Sequence, residues 1–182
     1  MMDRVDVVIV GAGVLGCAVA QRLGGRGLSV MLLEAASKEG TGLTSRNSGV
    51  VHSGLYYAPE SLKAAMCLEG QERLYRWCET HAVPVQRCGK LVLGARDDGG
   101  RALEDLAANA ARCGATGLRQ VSHSEAVALE PRLAASRSDG ALWCPKTGIV
   151  DAHSLTHSLR VAAASGGVDA VFNARVEAVD AA

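Results

Sequence analysis

The sequence carries no excess of either charge, no apolar run of membrane-spanning length, no paired-cysteine motif and no internal repeat. Nineteen basic residues stand against nineteen acidic ones, a formal net charge of +0. The field that draws a protein to a phosphate backbone or an anionic bilayer is therefore missing, and nucleic acid is not an expected partner. The apolar stretch near the N-terminus is interrupted by Asp6 and then by glycines, and it has neither a basic leader nor a small-residue cleavage site. Nothing approaches the roughly 20 apolar residues of a spanning helix, so no membrane association is visible. The six cysteines (Cys17, Cys67, Cys78, Cys88, Cys113, Cys144) are scattered, without a CxxC or a Cys/His cluster. That pattern reads as reduced thiols in a cytoplasmic protein and as no metal site. His153 and His157 lie four apart on an expected helix, but no third ligand is near them in sequence.

The residues from Val5 to Glu34, VDVVIVGAGVLGCAVAQRLGGRGLSVMLLE, supply the organising signal. Val5 to Val10 is a nearly continuous apolar run, as in a strand buried on both faces of a parallel sheet. A complete GxGxxG follows, in which Gly11 permits the tight turn, Gly13 lets a pyrophosphate approach and Gly16 lets the helix lie close to the sheet. Val14, Leu15 and Gly16 open that helix, whose unpaired N–H groups and positive dipole end suit phosphate. Ser29 to Leu33 is the second strand, and Glu34 stands at its end with Ala35 after it. A carboxylate there accepts hydrogen bonds from ribose hydroxyls and disfavours a 2′-phosphate. Dinucleotide binding is the reading.

The continuation selects the dinucleotide. Ala35 to Ala58 is polar and glycine-containing, without helical or strand periodicity. Such a loop suits FAD, and Thr44, Ser45, Arg46, Asn47 and Ser48 line up hydroxyls, a cation and an amide along it. A helix is expected from Ser61 to about His81 with an apolar stripe through Leu62, Ala65, Met66, Leu74, Trp77 and Cys78. Val85 to Ala95 reads as a bent strand or strand pair, Asp97 to Gly100 as a turn and Arg101 to Cys113 as a second helix. Ser122 with Glu125 forms a potential capping box for a short helix ending at Pro131. Ala141 to Cys144 is a short strand, Ala152 to Ala164 a helix, and Val168 to Val179 one strand or two.

The stretch TSRNSGVVHSGLYY (Thr44 to Tyr57), the following PESLKAAMCLEG, and the later RCGKLVLG and CPKTGIVD closely resemble the L-2-hydroxyglutarate dehydrogenase/oxidase family. Those enzymes are FAD-dependent oxidoreductases of the D-amino acid oxidase type. The resemblance implies an α/β architecture: a Rossmann-like FAD-binding domain, interrupted by the start of an α+β substrate domain and truncated at its C-terminus. The expected segments are 1–83 for the first part of the FAD-binding domain, 84–145 for the substrate domain and 146–182 for the second part. Members of the family run roughly twice this length, so the chain reads as an N-terminal portion, with catalytic incompetence of the isolated piece as an alternative.

For the site, the resemblance implies that the glycine turn and Glu34 hold the ADP half of FAD. It places the loop through Ser45, Arg46 and Asn47 along the pyrophosphate, and a strand residue around Val176 on the adenine through its backbone. His52 falls where the chain approaches the flavin, either as the base that takes the hydroxyl proton or only as a hydrogen-bonding partner of flavin or loop. Tyr56 and Tyr57, and Lys63 of the SLK motif, are candidates for a substrate carboxylate, against a packed tyrosine pair and a solvated lysine. Arg46 either balances charge or braces its loop. The implied substrate is a small 2-hydroxy acid, with an amine or amino acid as the alternative, and the implied electron acceptor is oxygen or a quinone.

Overall fold

The computed structural model describes residues 4–94, 100–136 and 138–180. Residues 97–99 of the expected Asp97 to Gly100 turn lie outside them. In chain order the elements are β1 (Val7–Val10), α1 (Val14–Leu23), β2 (Val30–Leu33), β3 (Val50–Val51), α2 (Leu62–Thr80), β4 (Val85–Gln86), β5 (Lys90–Leu93), α3 (Arg101–Arg112), β6 (Arg119–Ser122), α4 (His123–Leu129), β7 (Gly140–Cys144), β8 (Gly148–Val150), α5 (Ala152–Ser165) and β9 (Val168–Val171), with 3-10 turns at Leu43–Arg46 and Pro131–Ala135.

The chain divides into two compact units. One comprises residues up to Gly49, His81–Pro84 and the stretch from Asp151; the other comprises Val50–Thr80 and Val85–Val150. These boundaries differ from the 83/84 and 145/146 breaks expected from sequence. Residues 50–80 join the second unit because β3 pairs with β8 and because Gln71 and Tyr75 of α2 both hydrogen-bond the carbonyl of Lys146.

In the first unit, β1, β2 and β9 form a parallel sheet with β2 in the middle. Val30 and Leu32 are buried there, and Cys17 and Ala20 of α1 are fully enclosed with Ala163 of α5. The two helices close on small residues, and the N–H of Gly25 donates to the carbonyl of Gly166. β1 is not buried on both faces as its apolar run suggested: Val8 is 50% and Val10 is 62% exposed. Its polar interruption, Asp6, accepts hydrogen bonds from the backbone and hydroxyl of Ser29, which hold its carboxyl below the ordinary value. The final strand is shorter than expected, ending at Val171. Asn173 and Ala174 then donate to the carbonyls of Ala36 and Glu34, and Val176 lies outside any strand.

The second unit holds two antiparallel sheets, β3-β8-β4 and β5-β7-β6. α3 buries Leu103 and Ala110, at helical spacing, against Leu142, Cys144 and Leu55, with Leu106 and Ala107 packed alongside. Burial of a leucine of this kind stabilises by about 1.5–3 kcal/mol. The expected capping box is present: Ser122 Oγ accepts from the Glu125 N–H while the Glu125 carboxylate accepts from the Ser122 N–H. On α2 the apolar stripe sits in a different phase in its first half. Ala64, Gln71, Tyr75 and Cys78 face inward, while Leu62 and Met66 are 73% and 55% exposed.

Candidate cofactor cleft and the His52 loop

The GxGxxG turn lies between β1 and α1 in the first unit and borders a cleft of about 650 Å³, within the range of small-molecule sites. Gly11 adopts φ +96°, a conformation that L side chains rarely take, and its N–H donates to the carbonyl of Leu33. A Cβ on Gly16 would stand 1.9 Å from the Gly11 carbonyl oxygen, so only glycine lets the helix start this close to the turn. Gly13 is the N-cap of α1 and offers no side-chain cap. The Val14 N–H is taken by the Thr44 hydroxyl at 3.0 Å. A helix leaves the next N–H groups, those of Leu15 and Gly16, without an intrahelical acceptor.

Glu34 lines the same cleft. Its Oε2 accepts from the Ala12 N–H at 2.7 Å and its Oε1 from the Ala36 N–H at 2.8 Å. A carboxylate has about four acceptor positions, so two remain for ribose hydroxyls while the backbone fixes its orientation. Ala35 is exposed beside it. Val10, Leu15 and Leu43 border the cleft at 62%, 80% and 89% exposure, which is apolar surface that a bound ligand would cover. Backbone donors at a helix start, a held carboxylate and open apolar walls fit an adenine dinucleotide.

The loop beyond Glu34 is more structured than its lack of periodicity indicated. The Gly40 N–H donates to the Ala12 carbonyl, and Glu39 before it is anchored to α5 by His157 Nδ1 at 2.7 Å and Arg160 Nε at 3.3 Å. Burial works to raise the Glu39 carboxyl, but the hydrogen bond from His157, a backbone hydrogen bond and the Arg160 charge outweigh it and hold the group low. The 3-10 turn then braces itself: Ser45 Oγ donates to the carbonyls of Thr41 and Gly42, and Asn47 spans the turn from the Thr44 carbonyl to the Gly49 N–H. Arg46 and Ser48 are exposed. Thr44 and Asn47 line the cleft, whereas Ser45, Arg46, Ser48 and Val176 do not. His157 is thus a loop anchor, and among the described residues no group of three His, Cys, Asp or Glu could hold a metal.

His52, Tyr57 and Lys63 belong to the second unit. The His52 side chain is exposed, while its carbonyl accepts from Gln71 Nε2 at 2.9 Å. Ser53 Oγ and Thr147 Oγ1 lie 2.6 Å apart, and Asn109 Nδ2 donates to the carbonyls of Leu55 and Tyr57. The loop is therefore fastened to α2, to α3 and to the turn before β8. Lys63 Nζ lies 4.8 Å from the Tyr57 ring centroid. Burial, with the neighbouring Cys67, raises the Tyr57 phenol above its ordinary value. Gln71, Asn109 and Thr147 were not found from sequence. The signal for Gln71 was a polar residue at helical spacing with Tyr75 and Cys78, on what is in fact the buried stripe.

Comparison with known proteins matches the family described as FAD dependent oxidoreductase over residues 6–182. The chain belongs to that family. FAD is accordingly the cofactor, and the relatives include proteins named for the dehydrogenase that the sequence resembles. It is 43% identical over 157 residues to the mitochondrial L-2-hydroxyglutarate dehydrogenase of Arabidopsis thaliana, covering 86% of this chain and 32% of that one. It is 35% identical to the human mitochondrial L-2-hydroxyglutarate dehydrogenase, covering 97% and 38%, and 37% identical to the L-2-hydroxyglutarate dehydrogenase of Indibacter alkaliphilus, covering 80% and 36%. Among solved structures it is similar to dithionite-reduced L-alpha-glycerophosphate oxidase of Mycoplasma pneumoniae with FAD bound, at TM-score 0.85 and 26% identity over 94% of this chain and 45% of that one. Glycine oxidase of Geobacillus kaustophilus gives TM-score 0.79 and 26% identity over 93% and 47%. The chain spans about a third of the length of the curated relatives it matches. The cytoplasmic expectation is overturned by the Arabidopsis and human relatives, which are mitochondrial proteins. Free cysteines suit any reducing compartment and do not tell these two apart.

Replacing Glu34 with Gln is expected to weaken FAD binding by roughly tenfold or more. The amide would turn an NH₂ toward the N–H of Ala12 or Ala36, and hydrogen bonds to a charged acceptor are worth about 1.5–3 kcal/mol. Fluorescence titration of flavin-stripped full-length protein with FAD measures the change.

Proposed function

We propose that the protein of which this chain is part oxidises L-2-hydroxyglutarate, or a close 2-hydroxy acid, to the 2-oxo acid. The observation that carries this reading is the set of relatives named L-2-hydroxyglutarate dehydrogenase, at 34–43% identity over most of this chain. When bound, FAD would supply the two-electron acceptor, its N5 the atom to take up a hydride from C2 of the substrate.

The chain's own residues contribute a proton acceptor and charge. The His52 imidazole accepts the proton of the C2 hydroxyl, so the C–H and O–H bonds break as the C=O bond forms. Its position is set through the backbone, by the Gln71 amide on its own carbonyl and by the Ser53–Thr147 contact one residue on. The Tyr57 hydroxyl donates to the C1 carboxylate, and the Lys63 ammonium against the same ring adds charge to that end. Glu34, Thr44 and the α1 N-terminus hold the ADP portion, with Asn47 bracing the loop that borders it. Reoxidation falls to oxygen or a quinone.

An amine or amino-acid oxidase is the second reading, favoured by the likeness to glycine oxidase. The test is anaerobic mixing of the flavin-loaded full-length protein with each substrate class. Bleaching of the flavin by L-2-hydroxyglutarate is expected. Bleaching by glycine or another amino acid, without bleaching by the hydroxy acid, would sink the proposal.

A further inference from the structure

We infer that Lys90, steadied by Tyr56, receives the distal carboxylate of a dicarboxylic 2-hydroxy acid, and so sets the preference for a diacid over a monoacid. The inference rests on the function proposed above and adds a residue that neither the glycine turn nor the His52 loop contains.

Lys90 is the first residue of β5, whose register on β7 is fixed by four pairs running from Lys90↔Cys144 to Leu93↔Ala141. Its ammonium is thus delivered from a sheet rather than a loop, which favours a defined position. Nζ lies 3.2 Å from the Tyr56 hydroxyl and 4.6 Å from the Tyr56 ring centroid. Lys90 lines one small cleft with His52, Tyr56 and Tyr57. At about 10 Å³ the cleft marks where these side chains converge, and a substrate lies across its mouth rather than within it.

Charge completes the argument. Among the described residues no carboxylate comes within ion-pair distance of Lys90 or Lys63, whereas Lys146 is paired with Glu72. Among the described residues, two ammonium groups without a carboxylate partner therefore flank consecutive tyrosines, Lys63 on Tyr57 and Lys90 on Tyr56. A dicarboxylate matches that pair of cations; a monocarboxylate leaves one of them unused. Tyr56 is 58% exposed, so the carboxylate meets the Lys90–Tyr56 pair from the solvent side.

The test compares L-2-hydroxyglutarate with L-2-hydroxyvalerate, which has the same carbon chain without the second carboxylate, in the flavin-loaded full-length protein. Lys90→Met keeps the aliphatic stem on the ring and removes the charge. It is expected to lower the ratio of the two kcat/KM values at least about tenfold, through KM, as for loss of one charge-assisted hydrogen bond. Lys90→Arg is expected to restore most of the ratio. An unchanged ratio in Lys90→Met, with wild type turning over L-2-hydroxyglutarate, overturns the inference and leaves the proposed function standing. Failure of wild type to turn over L-2-hydroxyglutarate overturns both. Should Lys90→Met not fold, Tyr56→Phe is read in its place, with a smaller fall in the same ratio expected and no fall overturning the inference.

Discussion

Gly16→Ala in the full-length protein is expected to purify without flavin and to lose about 3 kcal/mol or more of stability. The added Cβ would fall 1.9 Å from the Gly11 carbonyl oxygen and 3.1 Å from its carbonyl carbon. Both are backbone atoms, so no side chain can rotate away, and relief demands a shift of more than an ångström. The Gly11 backbone cannot supply it cheaply. It is held by its N–H on the Leu33 carbonyl, and its φ of +96° is already one that other residues avoid. The strain is therefore relieved by lifting the start of α1 off the turn. That displaces the Leu15 and Gly16 N–H groups and strips Thr44 from the Val14 N–H, which opens one wall of the cleft. Absorbance at flavin wavelengths per protein, together with the urea midpoint, measures the effect. Gly70→Ala is the control: it lies in α2 with no atom within 4 Å of the added Cβ, and it is expected to stabilise by about 0.5–1 kcal/mol. Retention of stoichiometric flavin by Gly16→Ala would contradict this account of the turn.

The parts of the fold legible in the sequence are those where one local rule acts alone. GxGxxG after an apolar run and before small residues fixes a β-α-β start, and Ser122 with Glu125 fixes a capping box, because each is satisfied by atoms a few residues apart. The failures share a cause: burial is decided by what packs on an element from far away in the chain. β6, of sequence RQVS, buries only Val121 and has no strand alternation to detect, and it is a strand because β7 supplies its ladder. The inward stripe of α2 contains Gln71, which any hydropathy pattern places in solvent, because the carbonyls of His52 and Lys146 at sequence distances of 19 and 75 need its amide. β1 has the composition of a doubly buried strand and presents Val8 and Val10 to solvent. The candidate site divides along the same line. Glu34 and Thr44 are readable by motif, whereas the clamps on the His52 loop, Gln71, Asn109 and Thr147, are visible only once three elements are brought together.

Gly148→Ala is expected to cost about 3 kcal/mol, at the upper end of overpacking, and to slow flavin reduction while leaving FAD bound. Gly148 opens β8, the middle strand of its sheet, where a Cβ would lie 2.4 Å from the Tyr75 hydroxyl and 2.5 Å from the Gln86 carbonyl oxygen. Displacing Tyr75 breaks its bond to the Lys146 carbonyl, and displacing β4 opens the Val85↔Val150 and Gln86↔Ile149 pairs. Either way the turn carrying Lys146 and Thr147 moves, and with it the Gln71 amide and the Ser53 contact that hold the His52 loop. The cofactor cleft is lined by residues of the other unit, so flavin content is expected to stay near that of wild type. Adding Tyr75→Phe removes the atom at 2.4 Å but leaves the Gln86 oxygen at 2.5 Å, so the double variant is expected to recover only part of the lost stability. Thermal unfolding of the single and double variants, with stopped-flow flavin reduction on the same preparations, measures both effects. A Gly148→Ala protein with wild-type stability and a wild-type reduction rate would show that the turn before β8 does not govern the His52 loop.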